Sequence, residues 1–216
     1  MRSGAFSEVV VATCDDEIAD AVQAAGGKVI MTSSSHVAAT DRVAEAIQDL
    51  DCTHVVNVQG DEILVLPQDL LRMTEAIRSQ PRGLAWNAVA RIESNDELRD
   101  RAIVKCLVSN SLRIMSCMRD LSNIRLSATF YPARKILGIL AFERSFLEAY
   151  SRLGRTPLEI AESIDQSRIV ESDVKLQGVE FTRGYIGINE PHEVATVEAC
   201  LRDDPLQTAV LKEILH

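Results

Sequence analysis

The sequence predicts an α/β fold in which a doubly wound, mostly parallel sheet carries helices on both faces. Short β-branched runs alternate with stretches whose apolar residues recur at helical spacing, the pattern of strands joined by helical crossovers. Two of those runs end in polar residues, Ala12-Thr13 and Gln59-Gly60-Asp61, and such sheets bind ligands beyond the carboxyl ends of their strands. With 216 residues, 46% of them apolar, the chain can bury one full core, and residues 1–216 read as a single domain.

The first strand covers 8–13, Glu-Val-Val-Val-Ala-Thr. After the acidic turn Cys14-Asp15-Asp16-Glu17, Ile18, Val22 and Ala25 recur at helical spacing until Gly26-Gly27 stops them. A second strand covers 28–32, and the polar loop Ser33-Ser34-Ser35-His36 leads to a helix over 40–50 with Thr40 or Asp41 as its N-cap. The third strand is 54–58. Next come a helix over 67–79, a strand over 84–91, an acidic loop, and a run over 103–108 that is apolar apart from Lys105.

Residues 110–135 predict an exposed loop region, because Arg113, Arg119, Arg125 and Arg134 interrupt any clean period and Tyr131-Pro132 breaks the segment. A strand over 136–142 and a helix over 145–153 follow, and Thr156-Pro157-Leu158-Glu159 opens another helix with proline in its first turn. On that helix Glu159, Glu162, Asp165 and Arg168 fall three or four apart, either as a ladder of surface ion pairs or as a row of substrate contacts. Residues 173–181 alternate like a strand, and the turn Gly187-Ile188-Asn189-Glu190 precedes a helix over 191–202.

Charge narrows the partners. The net charge is −9, from 32 acids against 23 bases, and no long basic tract is present, which argues against nucleic acid. No apolar stretch reaches the roughly 20 residues of a spanning helix, and residues 1–6 lack the apolar core of a signal peptide. A cytoplasmic protein with no membrane partner is expected. Five cysteines without a Cys-x-x-Cys pair fit buried thiols in a reducing compartment.

Chemistry concentrates in "NVQGDE", residues 57–62, where an apolar strand ends in two carboxylates. That arrangement is either an acidic turn or a metal site at the mouth of the sheet. Lys105 is the other oddity, since lysine is seldom fully buried without a partner.

Several stretches together resemble the CMP-Kdo synthetases, the 3-deoxy-manno-octulosonate cytidylyltransferases. They are "VVVATCDDEIADAVQAAGGKVIMT" (9–32), "HVAATDRVAEAI" (36–47), "VVNVQGDE" (55–62), "IVKCLV" (103–108), "LGILAF" (137–142), "TPLEIAESIDQSRIVE" (156–171) and "GINEPHEV" (187–194). The resemblance implies a glycosyltransferase-A-like nucleotidyltransferase that joins CTP to the anomeric hydroxyl of a sugar acid and releases pyrophosphate. It implies Mg²⁺ as cofactor, which one or two carboxylates plus substrate oxygens can hold. Asp61 would be the catalytic, metal-holding carboxylate, and position 189, here Asn189, the degenerate second one. Thr40, Asp41, Arg42 and Gln59 would face nucleotide and sugar, with Arg42 or Lys105 meeting an anion. A homodimer is implied, with about 130–171 as its contact region.

Departures from the family pattern accompany the match. The family's first strand and its Pro-Gly-Lys-Pro phosphate loop have no counterpart here, so an open place in the sheet is expected unless another chain fills it. Asn189 replaces an aspartate, and Cys14, Ala38, Ala39, Ile63, Ala102 and Ile136 stand where the family usually has other residues. These changes predict weak activity for this chain alone, or an inactive relative or gene fragment that acts as a binding or dimerisation partner, with an intact relative as one such partner.

Overall fold

The computed structural model describes residues 4–36, 38–121, 132–188 and 190–215. Strand β1 (Val10–Thr13) pairs in parallel with β2 (Lys28–Met31). Helix α1 (Asp16–Ala24) joins them. Its start is capped by the Asp15 carboxylate, which accepts from the Ile18 N–H at 3.1 Å, and the chain leaves it through Gly26 at φ 77°, a left-handed conformation that glycine takes without steric cost.

Helix α2 (Ala39–Ala46) follows. It begins one residue earlier than expected and is capped by Ala38 with no side-chain hydrogen bond, so neither Thr40 nor Asp41 is the N-cap. Thr40 lies inside the first turn and is buried. Strand β3 (His54–Val58), helix α3 (Pro67–Ser79), which starts on its proline, and strand β4 (Ala85–Ala90) match the sequence pattern. The acidic loop contains a short helix, α4 (Asn95–Arg99), capped by the Ser94 hydroxyl.

Strand β5 (Lys105–Val108) is followed by β6 (Arg113–Met118), so part of the expected loop region is a strand. Ile114 and Cys117 turn inward while Arg113 and Met115 stay exposed, and the irregular spacing accompanies a register shift between Leu107 and Val108. Arg113 therefore belongs on the strand's outer face. Residues 122–131 of that stretch lie outside the described residues.

Strand β7 (Ala133–Glu143) leads into helix α5 (Arg144–Tyr150). Helix α6 (Pro157–Glu162) ends at Ser163, whose φ of 54° breaks the helix before α7 (Gln166–Glu171). The acids and Arg168 expected on one helical face are thus divided between two helices. Strand β8 (Leu176–Glu180), a 3-10 turn over Pro191–Glu193, and helices α8 (Val194–Asp203) and α9 (Pro205–Leu215) complete the chain.

The main sheet is mixed, in the order β3-β7-β4-β8-β6-β5. Strands β3, β4, β8 and β5 share one direction, whereas β7 and β6 oppose them. Because β7 is inserted between β3 and β4, most neighbouring pairs are antiparallel although most strands agree in direction. The long β7 also pairs with β5 through Ala133 to Lys135, so β7, β4, β8, β6 and β5 close a ring of pairings.

Period-two alternation assigns the faces. On one side Val89, Leu140 and Phe142 pack against Ala44 and Ile47 of α2, Leu147 and Tyr150 of α5, and Ile169 of α7. On the other, Trp86, Ala88, Ile139 and Ala141 meet Met73 and Ile77 of α3. This placement sets the carboxyl end of β3 beside the middle of β7.

Candidate functional site

The turn after β3 is the centre of the site. The Glu62 N–H donates to the Gln59 carbonyl at 3.1 Å, which closes a four-residue turn with Gly60 and Asp61 at its tip. Both ends of the turn are fastened to Gly138 of β7. Gln59 donates its N–H to the Gly138 carbonyl at 2.9 Å, and the Gly138 N–H donates to Glu62 Oε1 at 2.5 Å. Burial, the larger cause, and the neighbouring Asp61 charge push the Glu62 carboxyl above the ordinary range, against the pull of that N–H.

Asp61 itself is held by its backbone. Its carbonyl accepts from the Ile63 N–H at 2.9 Å and from the Ile188 N–H at 3.2 Å. Among the described residues its carboxylate has no hydrogen-bond partner, which leaves both oxygens available to a cation. Asn189, the expected second position, lies outside the described residues, but the contact through Ile188 brings its neighbour against Asp61.

A local irregularity in β7 serves the turn. Between Asn87 and Val89 the register with β7 jumps from Leu140 to Ile136, and Gly138 sits within that bulge. A Cβ on residue 138 would come within 2.5 Å of Gln59 Oε1 and 3.1 Å of Glu62 Oε1. Glycine is what lets both side chains cross the strand.

Polar contacts continue inward from there. The fully buried Asn87 amide donates to the Leu137 carbonyl at 3.0 Å, and its oxygen accepts from Gln166 Nε2 at 3.0 Å. Beside Gln166, Asp165 accepts from the Thr40 hydroxyl at 2.9 Å. Burial raises the Asp165 carboxyl above its ordinary range despite that bond. Three hydrogen-bonded sets thus lie between Gln59 and Thr40, joined only by chain adjacency at Leu137–Gly138 and at Asp165–Gln166.

Arg168 anchors the far side. Its guanidinium takes Glu159 in a two-pronged pair at 2.7 and 2.5 Å and lies 4.5 Å from the Tyr150 ring centroid. Glu159 is 1% and Arg168 2% exposed, so this is a buried ion pair, which rules out the surface ladder of the two readings the sequence left open. Burial opposes ionisation of Glu159, but the Arg168 hydrogen bonds, the Thr156 N–H and Arg155 hold its carboxyl below the ordinary range. The Asp41 carboxylate lies 3.9 Å from Arg168. Thr40 and Asp41 therefore face this interior cluster.

Arg42 is disposed differently. Its Nη1 donates to the Thr32 hydroxyl at 2.5 Å and the Ser33 carbonyl at 3.2 Å, at the carboxyl end of β2. Its other nitrogens make no hydrogen bond among the described residues, so it retains capacity for an anion. Lys105 does not. Its fully buried ammonium donates to the carbonyls of Asp100, Ile103 and Arg119, and those contacts use all three of its N–H groups. The anion-binding role expected for Lys105 has no donor left to perform it.

Sequence reasoning read Glu62 only as one of the two carboxylates of the 57–62 motif and missed Gly138, Asn87 and Gln166. An isolated glycine within a strand pattern was the available signal, since it marks a bulge or a close backbone approach.

A family model described as "Cytidylyltransferase" matches residues 1–176. The 3-deoxy-manno-octulosonate cytidylyltransferase of Geobacter metallireducens is 32% identical over 91% of this chain and 82% of its own length. The enzyme of that name from Zea mays is 31% identical over 96% of this chain and 71% of its own length. The solved structure of CMP:2-keto-3-deoxy-manno-octonic acid synthetase complexed with CTP superposes with a TM-score of 0.85 and 29% identity, covering 92% of this chain and 82% of that one. A more distant structure, 4-diphosphocytidyl-2C-methyl-D-erythritol synthase from Anaerococcus prevotii, shares the fold at a TM-score of 0.61 and 15% identity. By sequence similarity over nearly its whole length, and by a mixed α/β fold shared with a solved relative, this chain belongs to the 3-deoxy-manno-octulosonate cytidylyltransferase family.

Proposed function

We propose that the chain activates 3-deoxy-manno-octulosonate with CTP, yielding the CMP-sugar and pyrophosphate. The observation that carries this reading is the Asp61 carboxylate, without a hydrogen-bond partner among the described residues, on a turn fixed at both ends to β7. The sugar's anomeric hydroxyl oxygen bonds to the α-phosphorus, the bond from that phosphorus to the α–β bridging oxygen breaks with its electron pair leaving on pyrophosphate, and the hydroxyl proton passes to solvent. Such a displacement rests mostly on positioning and on charge stabilisation.

Mg²⁺ fits the residues present, because it binds through one or two carboxylates together with substrate phosphates. Asp61 would hold it, and no cluster of three or more acidic, histidine or cysteine ligands occurs among the described residues to suggest another metal centre. When bound, the ion supplies neutralising charge to the phosphate oxygens. Arg42 supports an anion contact through its spare guanidinium donors. Thr40 and Asp41 would act only indirectly, through Asp165 and Arg168.

No helix among the described residues is long and apolar enough to cross a membrane, which supports a cytoplasmic enzyme. Leu153 is 43% and Ile160 57% exposed, in the stretch expected to form a dimer contact. Those exposed apolar side chains support a homodimer.

The test is pyrophosphate release by the purified chain from CTP, Mg²⁺ and 3-deoxy-manno-octulosonate, beside Asp61→Ala. Release by the parent chain that falls at least about a hundredfold in the variant is expected, since a metal's charge stabilisation amounts to several kcal/mol. A folded parent chain with no release would refute the reading.

A further inference from the structure

We infer that Glu62 is a positioning residue for Asp61: its carboxylate stands in for the backbone of β3 and fixes the turn that presents the metal-holding side chain. This inference rests on the proposed nucleotidyl transfer. The ladder between β3 and β7 runs from His54 opposite Glu143 to Val58 opposite Ile139, and its next bond is Gln59 N–H to the Gly138 carbonyl. There the main chain of β3 turns away, and the Gly138 N–H would lose its acceptor.

Glu62 Oε1 takes that N–H at 2.5 Å. The side chain thereby returns the end of the turn to the strand from which the turn departs, so that Gln59 and Glu62 grip the two polar groups of one residue. Asp61 lies between these grips. Its carboxylate bonds to nothing among the described residues, so among them its direction is set by the turn and by the Ile63 and Ile188 N–H groups on its carbonyl. A turn released at Glu62 would swing Asp61 about Gln59, and a displacement near 1 Å can cost on the order of a hundredfold in rate.

A hydrogen-bond acceptor, not a charge, is what this role requires. Glutamine keeps an oxygen for the Gly138 N–H, whereas alanine removes it and leaves the N–H unpaired. The experiment titrates Mn²⁺ into the protein with CTP, reading bound ion by electron paramagnetic resonance, and measures KM for Mg²⁺ and kcat on the same samples. Glu62→Ala is expected to weaken Mn²⁺ binding and raise KM for Mg²⁺ about tenfold or more, and Glu62→Gln to stay within about threefold of the parent chain.

Parent-like Mn²⁺ binding in a folded Glu62→Ala overturns the assignment. Should Glu62→Ala fail to fold, Glu62→Gln decides alone: a tenfold loss there means that charge matters and overturns it, and retention supports it. A parent chain that binds no Mn²⁺ with CTP refutes the nucleotidyl-transfer reading itself, an outcome distinct from any difference between variants.

Discussion

The carbonyl oxygen of Asp61 accepts a hydrogen bond from the N–H of Ile188 at 3.2 Å. Residues far apart in the chain are joined there by backbone alone, and Gly187 makes the approach possible. A Cβ on residue 187 would stand 3.0 Å from that same carbonyl, closer than ordinary van der Waals contact.

Gly187→Ala should therefore push the two segments apart by a few tenths of an ångström. We expect turnover to fall about tenfold, because catalytic geometry is sensitive to such shifts, with thermal stability close to that of the parent chain. Equal turnover in the two proteins would mean that the segment before Asn189 has no part in the reaction.

The Glu159–Arg168 pair should dominate local stability. Removing one partner of a buried ion pair leaves an uncompensated charge and costs about 3–5 kcal/mol, so Glu159→Ala should lower the urea midpoint sharply. Arg168→Lys should also be destabilising, because lysine cannot reproduce the two-pronged geometry or the stacking on Tyr150. The folded Glu159 carboxyl titrates below its unfolded value, so its stabilisation is present above about pH 4.3 and is lost as pH falls through the folded value. Acid unfolding curves of the parent chain and Glu159→Gln should differ in that window.

Asp165 should show the opposite sign. Its folded carboxyl keeps a proton to higher pH than the unfolded one, so its contribution is full below about pH 3.9 and is lost as pH rises through the folded value. Asparagine can still accept from the Thr40 hydroxyl. Asp165→Asn is accordingly expected to be more stable than the parent chain at neutral pH, measured by urea unfolding. A loss of stability at neutral pH would show that the ionised carboxylate is needed.

Lys105→Met tests whether that lysine serves structure or ligand. With its ammonium gone, three partly buried carbonyls lose their donor, at up to roughly 1–3 kcal/mol each before any relaxation or access of water, so a clear fall in stability is expected while KM for CTP stays within about twofold. A large rise in that KM in a folded variant would restore Lys105 as an anion contact.

The strands and helices with strong periodicity were legible in the sequence, as was the QGDE turn as a strand end. Strand β6 was not, because Arg113 and Met115 project outward and disguise the alternation. The division of α6 from α7 was hidden too, since Ser163 adopts a left-handed backbone that no glycine or asparagine announces. Site residues were legible by type but not by direction. Thr40, Asp41 and Arg42 are consecutive, yet helical geometry turns Thr40 and Asp41 toward α7 and leaves only Arg42 beside the ends of β1 and β2. Lys105 was recognisably anomalous, but the three carbonyls around it come from a loop and a strand end whose convergence no local pattern reveals.

The length and place of β7 also govern how the chain can fold as it is made. Strand β3 pairs with no other strand among the described residues, and its partners on β7 extend from Ile139 to Glu143. During synthesis β3 must wait until that stretch has left the ribosome, whereas β5 and β6 can pair early as near neighbours. Long-range pairings of this kind form slowly and leave strand edges exposed meanwhile. A nascent chain arrested before Gly138 thus carries the QGDE motif on an unpaired strand, and the turn that presents Asp61 can take shape only after Gly138 and its flanks arrive.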